Sequence, residues 1–321
     1  MGFPSNRSNF NIFAKESQLA LEQLQPVKLS VLPVVDFAWK NFGKKLHTFG
    51  SWQHFLPIIV EIYIMYPDYH THTNLSDGRD THEEMFASAQ IRDVSEIGFS
   101  DHICVKPVSW AMDVRNIPAM VEAVQMLKQK EGVVRVKQGA EVDFIPGRET
   151  ETRELLSIIP LDYCIGSVHF IDDWNFDTDI LPYDQISINA FYKTYFKLVC
   201  QSAKSGLFDI IGHCDLAKKF AYYPTISLDR IFEETARVFS DYGVTVELNT
   251  SGKNKPCAEF YPSLRLLEIL HHYKVPVTLG SDAHVEQNIG QYFTDAIALL
   301  RYVGYKEVST FSERKRSAIR I

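Results

Sequence analysis

Histidine and acidic residues recur in short motifs along the sequence, each where an apolar, β-rich run of residues stops. The motifs hold six imidazoles and three carboxylates, namely His70, His72, Asp77, His102, Glu141, His169, His213, Asp282 and His284. A tetrahedral zinc site uses about four ligands, so one ion could not use all of them. Nitrogen and oxygen donors without a thiolate cluster favour two or three hard or borderline divalent ions.

Two of the motifs place a pair of ligands on one face of a strand. His70 and His72 are separated by one residue, and so are Asp282 and His284. Side chains two positions apart in a strand point to the same side, so each pair could grip one ion. A single histidine or aspartate after a strand is more often a helix cap or a core residue than a metal ligand. These alternative explanations are nearly independent of one another, so they do not account for all of the motifs together. The joint occurrence of the motifs at successive strand ends therefore indicates a metal site.

The elements that must position these ligands alternate between strand and helix from residue 68 onward. Helices are indicated by the capping-box spacing of Thr81 and Glu84, by Pro118 in a first turn, and by Gly206 after a long helix. Strands are expected at 69–73, 95–100, 133–141, 161–168, 208–212, 244–248 and 275–279. This alternation predicts a parallel sheet. Because the ligand motifs follow strands, the pattern predicts an α/β barrel with its site at the carboxyl ends of the strands.

Length and charge limit the class of protein and partner. The 321 residues allow one large barrel or two smaller domains, and 45% hydrophobic residues are enough for a sizeable core. The net charge of -7 would repel a nucleic-acid backbone, so no nucleic-acid partner is expected. A small anionic substrate fits better, provided that metal ions supply local positive charge. The oligomeric state stays open.

Cysteine usage and the N-terminal residues favour a cytoplasmic protein without a membrane partner. The five cysteines are odd in number, widely spaced and without a CxxC pair, which argues against a disulfide framework. The apolar stretches before residue 66 are too short or interrupted to span a bilayer, and no signal-peptide pattern stands at the start.

Residues 1–64 differ from the rest because they hold no strand-motif-helix unit. We therefore expect two segments, 1–64 of uncertain structure and 65–321 as the metal-binding barrel. Two interpretations of 1–64 remain open. It is either a genuine N-terminal extension or an upstream translation artefact, since Met65-Tyr66-Pro67 would make a natural start for the first strand of the barrel.

Longer strings around the ligands resemble the polymerase-and-histidinol-phosphatase (PHP) superfamily, and within it the PHP-type histidinol-phosphatases, over residues 66–321. The strings are His70-Thr-His-Thr73, Gly166-Ser-Val-His-Phe-Ile-Asp172 followed by Trp174 and Phe176-Asp177, Gly206-Leu-Phe-Asp-Ile-Ile-Gly-His-Cys-Asp-Leu216, Glu247-Leu-Asn-Thr-Ser-Gly252 and Gly280-Ser-Asp-Ala-His284. The resemblance implies a distorted (β/α)7 barrel and a trinuclear site. The ligand positions of the family all carry competent residues here.

The resemblance also implies how these ligands are shared among divalent ions of zinc, manganese or iron. The first ion would be held by His70, His72, Glu141 and Asp282. The second, bridged to the first by Glu141, would be held by His169 and His213. The third would be held by Asp77, His102 and His284. Glu141, His169 and Asp282 would act in catalysis through the metals that they hold.

The activity that the resemblance implies is hydrolysis of L-histidinol phosphate to L-histidinol and phosphate in histidine biosynthesis. A hydroxide bridging two ions would attack, since paired metals lower the pKa of water and clamp the attacking and leaving oxygens. Two alternatives remain open. One is a PHP phosphoesterase acting on nucleotides or nucleic-acid ends, although the sequence lacks a basic or aromatic groove. The other is a non-catalytic metal-binding scaffold, although the ligand set is complete.

Four residues are candidates for binding the substrate. The rings of Phe170 and Trp174 could pack on its imidazole, and Lys253 and Lys255 could neutralise its phosphate. The family pattern has a basic pair next to Pro256, and an arginine is replaced by Asn254 here. The alternative for each ring is loop packing, and for each lysine a solvated loop charge.

Overall fold

The computed structural model describes residues 65–92, 94–130, 132–184 and 186–321. Residues 1–64, the predicted N-terminal segment, lie outside this description. The α-helices are α1 (His82–Gln90), α2 (Ile117–Lys128), α3 (Glu149–Leu156), α4 (Ile188–Lys204), α5 (Asp229–Tyr242), α6 (Leu264–His272) and α7 (Phe293–Val303). The strands are β1 (Tyr66–Thr71), β2 (Val94–Phe99), β3 (His102–Ile103), β4 (Arg135–Gln138), β5 (Glu141–Asp143), β6 (Ile165–Ser167), β7 (Phe170–Ile171), β8 (Trp174–Asn175), β9 (Ile210–Ile211), β10 (Thr245–Asn249), β11 (Val277–Gly280), β12 (Glu307–Ser312) and β13 (Lys315–Arg320).

Two parallel sheets, covered by helices, make this an α/β fold, which confirms the predicted class. One sheet has the strand order β1-β2-β4, and the other has the order β11-β10-β9-β6-β5-β3. The pairings within both sheets are parallel. β3 follows β2 closely and β5 follows β4 closely, so two segments of the chain pass from the first sheet into the second.

The outer strands β1 and β11 also approach each other. Ala283, just beyond β11, donates its backbone N–H to the carbonyl of His70 at 3.2 Å. The carbonyl of Ala283 accepts the N–H of His72 at 2.9 Å, and Thr71 and Ala283 form a parallel bridge. Backbone hydrogen bonds therefore connect the end of β11 to the end of β1.

The local helix signals have the predicted structural roles. Thr81 caps α1 by accepting the N–H of Glu84 at 3.3 Å, while the Glu84 carboxylate accepts the N–H of Thr81 at 2.8 Å. Pro118 lies in the first turn of α2. Gly206 follows α4 with a φ of 67°, a left-handed conformation that glycine adopts without the usual steric penalty.

The third predicted strand is divided into β4 and β5. Tyr163 packs against the division, where a Cβ added at Gly139 would lie 2.2 Å from its ring. The hydroxyl of Tyr163 donates to the carbonyl of Tyr69 at 2.6 Å. The interruption therefore makes room for a fully buried tyrosine that joins β1 to the start of β6.

Continuous burial characterises three strands of the two parallel sheets. Every residue of β1, β10 and β11 is buried, as expected for a parallel sheet covered on both faces. Helix α4 adds Phe191, Tyr195 and Phe196 to a hydrophobic core that includes Val246 of β10. No α-helix in the described part of the chain is long and apolar enough to cross a membrane.

The C-terminal elements were not predicted from the sequence. Helix α7 follows the last parallel strand, and β12 and β13 then form an antiparallel hairpin. The N–H of Phe311 donates to the hydroxyl of Tyr69 at 3.1 Å, and Arg314 donates to the carbonyl of Leu207 at 2.7 Å. The hairpin is thereby attached to β1 and to the segment before β9.

Candidate metal centre

The predicted ligand side chains gather at the carboxyl ends of the parallel strands. His70 lies on β1 with His72 just after it, His102 begins β3, and Glu141 begins β5. The remaining ligands lie in segments that follow strands: Asp77, His169, His213, Asp282 and His284. Side chains of these residues form four overlapping groups, in each of which the potential ligand atoms lie within 4.8 Å of one another. The structure therefore brings every predicted ligand into one centre.

Glu141 belongs to two of these groups. Its Oε2 is 3.0 Å from both His70 Nε2 and His102 Nδ1, whereas its Oε1 is 3.0 Å from His213 Nε2. The carboxylate is fully buried, and burial raises its pKa. The charges of His102 and His70 outweigh that effect and hold the pKa of Glu141 well below its usual range. One ionised carboxylate thus faces imidazoles on both sides, as a bridging ligand must.

A second group lies at the more exposed side of the centre. Asp77 Oδ1 is 3.6 Å from His102 Nε2, and Asp77 Oδ2 is 3.3 Å from His284 Nε2. The ring of His72 stacks on that of His102 at 4.4 Å and also belongs to this group. The side chains of Asp77 and His284 are 32% and 39% exposed, so this part of the centre is open to small molecules.

Asp282 connects the two sides of the centre. Its Oδ1 lies 3.4 Å from His72 Nε2 and 3.7 Å from His70 Nε2. Its Oδ2 accepts hydrogen bonds from the Ser251 hydroxyl at 3.0 Å and from Asn249 Nδ2 at 3.3 Å. One oxygen is therefore fixed by neutral donors, and the other faces the imidazoles.

Several ligand atoms are buried without a hydrogen-bond partner among the residues that the structure describes. They are His70 Nε2, both ring nitrogens of His72, His102 Nδ1 and Glu141 Oε2. A buried polar atom without a partner costs about 1–3 kcal/mol. Imidazole and carboxylate donors suit borderline divalent cations, so these atoms fit metal ions that would satisfy them together.

Burial and the nearby carboxylates shift the pKa of the imidazoles in opposite directions. Burial lowers the pKa of His102 to about 3. Burial also lowers the pKa of His284, but the hydrogen bond to Asp77 and the charge of Asp282 outweigh it and raise the pKa to about 9. Carboxylates that stabilise a proton on an imidazole also attract a cation, which must displace that proton. Metal binding here is therefore coupled to proton release.

A cavity opens above the metal-ligand groups. Ligands form one wall, and other residues complete it: Trp110, Asn175, Asp177, Thr178, Leu216, Lys219, Ser251, Lys255 and Tyr261. The lining combines two ammonium groups, one further carboxylate and aromatic surface. It offers complementary groups to a small molecule that carries an anion, a cation and a ring.

The four predicted substrate residues have different surroundings. Lys255 lines the cavity. Phe170 stacks on Trp110 with ring centroids 6.2 Å apart, and Lys253 lies over the ring of Phe260 at 5.0 Å. Trp174 is not among the residues lining the cavity. Its ring packs in an aromatic cluster, and its Nε1 donates to the carbonyl of Asp179 at 2.9 Å.

Sequence reasoning did not single out Trp110, a residue of the cavity wall. Trp110 packs edge-on against His102 with ring centroids 4.7 Å apart. Lys219 Nζ donates to the carboxylate of Asp177 at 2.5 Å and to its carbonyl at 2.9 Å. Trp110 lies in the loop after β3, and its only sequence signal was an aromatic residue following a ligand-bearing strand.

Comparisons with known proteins give a consistent result. The family model described as PHP domain matches residues 68–251. A protein from Deinococcus radiodurans named probable histidinol-phosphatase is 35% identical over 256 residues, which cover 77% of this chain and 97% of that protein. The histidinol-phosphatase of Bacillus subtilis is 26% identical over 254 residues, covering 70% of this chain and 95% of that protein.

Solved structures show the same fold. The histidinol phosphate phosphatase of Lactococcus lactis, solved in complex with zinc, L-histidinol and phosphate, has a TM-score of 0.69 and 22% identity. The match covers 78% of this chain and 98% of the Lactococcus chain.

Proposed function

The chain belongs to the PHP family, and from that premise we propose that it hydrolyses L-histidinol phosphate to L-histidinol and phosphate with bound divalent metal ions. The observation that carries the proposal is the 35% identity to the Deinococcus protein named probable histidinol-phosphatase, across 97% of that protein's length. The gathered ligands support the metal dependence. Zinc in the Lactococcus structure makes zinc the first metal to test, with manganese and iron as the others.

The resemblance to the family implies three metal positions for the nine gathered ligands, whose four geometric groups overlap. One would use His70, His72, Glu141 and Asp282. A second would use Glu141, His169 and His213. A third would use Asp77, His102 and His284. Divalent ions at such positions supply positive charge for the phosphate oxygens and lower the pKa of an attacking water.

The cavity wall offers groups for the rest of the substrate. The ammonium group of Lys255 lies where it can neutralise phosphate oxygens as a point charge. The ring of Trp110 can pack on the imidazole of histidinol, and the carboxylate of Asp177 can accept hydrogen bonds from its ammonium. These residues would orient the substrate with its phosphate toward the ligand groups.

We also propose that the parallel strands close into a distorted (β/α)7 barrel formed by residues 65–321. The hydrogen bonds between Ala283 and the end of β1 support closure. So does the continuity of β2 with β3 and of β4 with β5, which leaves seven strand positions around the sheet system. We place the protein in the cytoplasm, since its five cysteines are free thiols.

Comparing three substrates tests the proposed activity. Metals bind the phosphate of any monoester, so discrimination has to come from the imidazole and ammonium ends of the substrate. We expect kcat/KM for histidinol phosphate to exceed that for a simple alkyl phosphate and for a nucleoside monophosphate by at least about 100-fold, or about 3 kcal/mol. Equal efficiencies would reject the histidinol phosphate assignment, and preference for the nucleotide would favour the nucleotide phosphoesterase.

Two tryptophan variants locate the imidazole. Trp110→Ala should lower kcat/KM for histidinol phosphate about fivefold more than kcat/KM for the alkyl phosphate, because a lost aromatic contact costs about 1 kcal/mol. Trp174→Ala should have the smaller effect, since its ring contacts other aromatic residues and not the cavity. The reverse order would support the sequence-based prediction for Trp174.

A shortened chain tests the domain boundary. A protein beginning at Met65 should hydrolyse histidinol phosphate with the kcat/KM of the full chain, because every proposed ligand and cavity residue lies after that position. Activity and solubility should be measured together. Aggregation, or a changed substrate preference, would show that residues 1–64 belong to the catalytic fold.

A further inference from the structure

Glu247 is a buried carboxylate directly behind the centre. It lies on β10, is 1% exposed, and is not one of the proposed metal ligands. Its Oε1 is 2.6 Å from Nδ1 of His70. Its contact is with the ring nitrogen opposite the one that faces Glu141, so it can act on the ligand without touching the metal.

The second oxygen of Glu247 is also fully engaged. Oε2 accepts hydrogen bonds from the backbone N–H of His213 at 2.9 Å and from Nδ2 of Asn249 at 3.1 Å. The orientation of the Asn249 amide is set independently, because its Oδ1 accepts a hydrogen bond from the backbone N–H of Ser251 at 3.0 Å. Both oxygens of Glu247 therefore face N–H donors, and among side chains only a carboxylate offers acceptors at both positions.

This arrangement selects one tautomer of His70. With Glu247 accepting, the proton of the neutral ring is on Nδ1 and the lone pair is on Nε2. Nε2 lies 3.0 Å from Glu141 and 3.7 Å from Asp282, in the direction of the proposed metal. A carboxylate behind a metal-bound histidine fixes its orientation and raises its basicity.

The neighbouring strand β11 leaves room for the Glu247 carboxylate through a glycine. A Cβ added at Gly280 on β11 would lie 1.9 Å from Oε1 and 2.7 Å from the Cβ of His70. The space for this carboxylate is thus built into the backbone of β11.

We propose that Glu247 is a positioning residue that sets the ligands of two metal positions at once, through the side chain of His70 and the backbone of His213. The inference rests on the metal centre of the proposed function. It extends that centre to a residue behind it, which links a ligand of the first position to a ligand of the second.

Asp143 provides the matched comparison. It is also fully buried, and its Oδ1 lies 2.9 Å from Nδ1 of His169. The ligand that it contacts, His169, belongs to the second metal position. Glu247→Gln and Asp143→Asn each replace a carboxylate by an amide of nearly equal size, so they differ in the number of metal positions affected.

The experiment measures metal binding in the full chain. Metal-free protein is titrated with zinc against a chelator of known affinity, and bound zinc per chain is measured after dialysis. We expect Glu247→Gln to weaken two zinc positions by about 10- to 100-fold and Asp143→Asn to weaken one, with the third position unchanged in both. Excess zinc should restore much of the hydrolysis of histidinol phosphate, because Glu247 is not among the residues lining the cavity.

Melting of the metal-free proteins shows whether each variant folds. If Glu247→Gln does not fold, Glu247→Asp keeps both acceptor oxygens but withdraws them by one methylene, and it should also weaken two positions. Wild-type zinc affinity in a folded Glu247 variant would overturn the inference. Zinc binding that responds as expected in a protein inactive on histidinol phosphate would instead reject the substrate and leave the positioning role intact.

Discussion

Glu141→Ala is expected to abolish hydrolysis of histidinol phosphate, lowering kcat/KM by at least about 1,000-fold, or about 4 kcal/mol. The reason is the position of this carboxylate, which presents one oxygen to His70 and His102 and the other to His213. Its removal takes a shared ligand from two metal positions at once. Steady-state kinetics and bound metal per chain should be measured on the same preparation.

The control for this variant is Glu83→Ala, an exposed glutamate in the first turn of α1, which should keep wild-type activity and metal content. Thoroughly chelated wild-type protein, shown to be metal-free, should be as inactive as Glu141→Ala. Turnover retained by either of these would exclude the metal-dependent mechanism.

Gly280→Ala should cause the second large loss. The new methyl group would lie 1.9 Å from the carboxylate of Glu247 and 2.7 Å from the Cβ of His70. Glu247 cannot move freely because both its oxygens hold buried hydrogen bonds. Overpacking of this kind costs about 1–3 kcal/mol of stability, and a catalytic ligand displaced by about 1 Å can cost about 100-fold in rate.

Gly206→Ala separates the loss of stability from the loss of ligand geometry. Gly206 has a positive φ and no atom within 4 Å of an added Cβ, so alanine there costs about 1–2 kcal/mol through backbone conformation alone. Its melting temperature should fall while kcat/KM stays at the wild-type value. Gly280→Ala with wild-type kcat/KM would show that the space beside His70 and Glu247 tolerates a methyl group.

The gathering of the predicted ligands could be anticipated from the sequence because these residues contrast with what precedes them. His70 and His72 follow an apolar run and share a face by strand periodicity, and their rings lie 5.0 Å apart in the structure. The capping box of Thr81 and Glu84 is similarly local, since its donors and acceptors are three residues apart. Features determined by nearby residues could be read from the sequence alone.

Features that depend on distant residues could not be predicted in this way. Glu247 has the pattern of an ordinary strand residue, and its partner His70 is 177 positions away. Trp110 is one aromatic residue in a loop until the chain folds it against His102. The roles of these two residues follow from packing between segments, which no local pattern encodes.

The C-terminal hairpin has a consequence for synthesis on the ribosome. Phe311 donates to the hydroxyl of Tyr69, 242 positions earlier in the chain. At about 5–20 residues per second, translation needs about 12 to 50 seconds between these two residues. During that interval the nascent first strand, which carries His70, lacks both the hairpin and the segment containing Ala283. Formation of the metal centre therefore has to wait until nearly the end of translation.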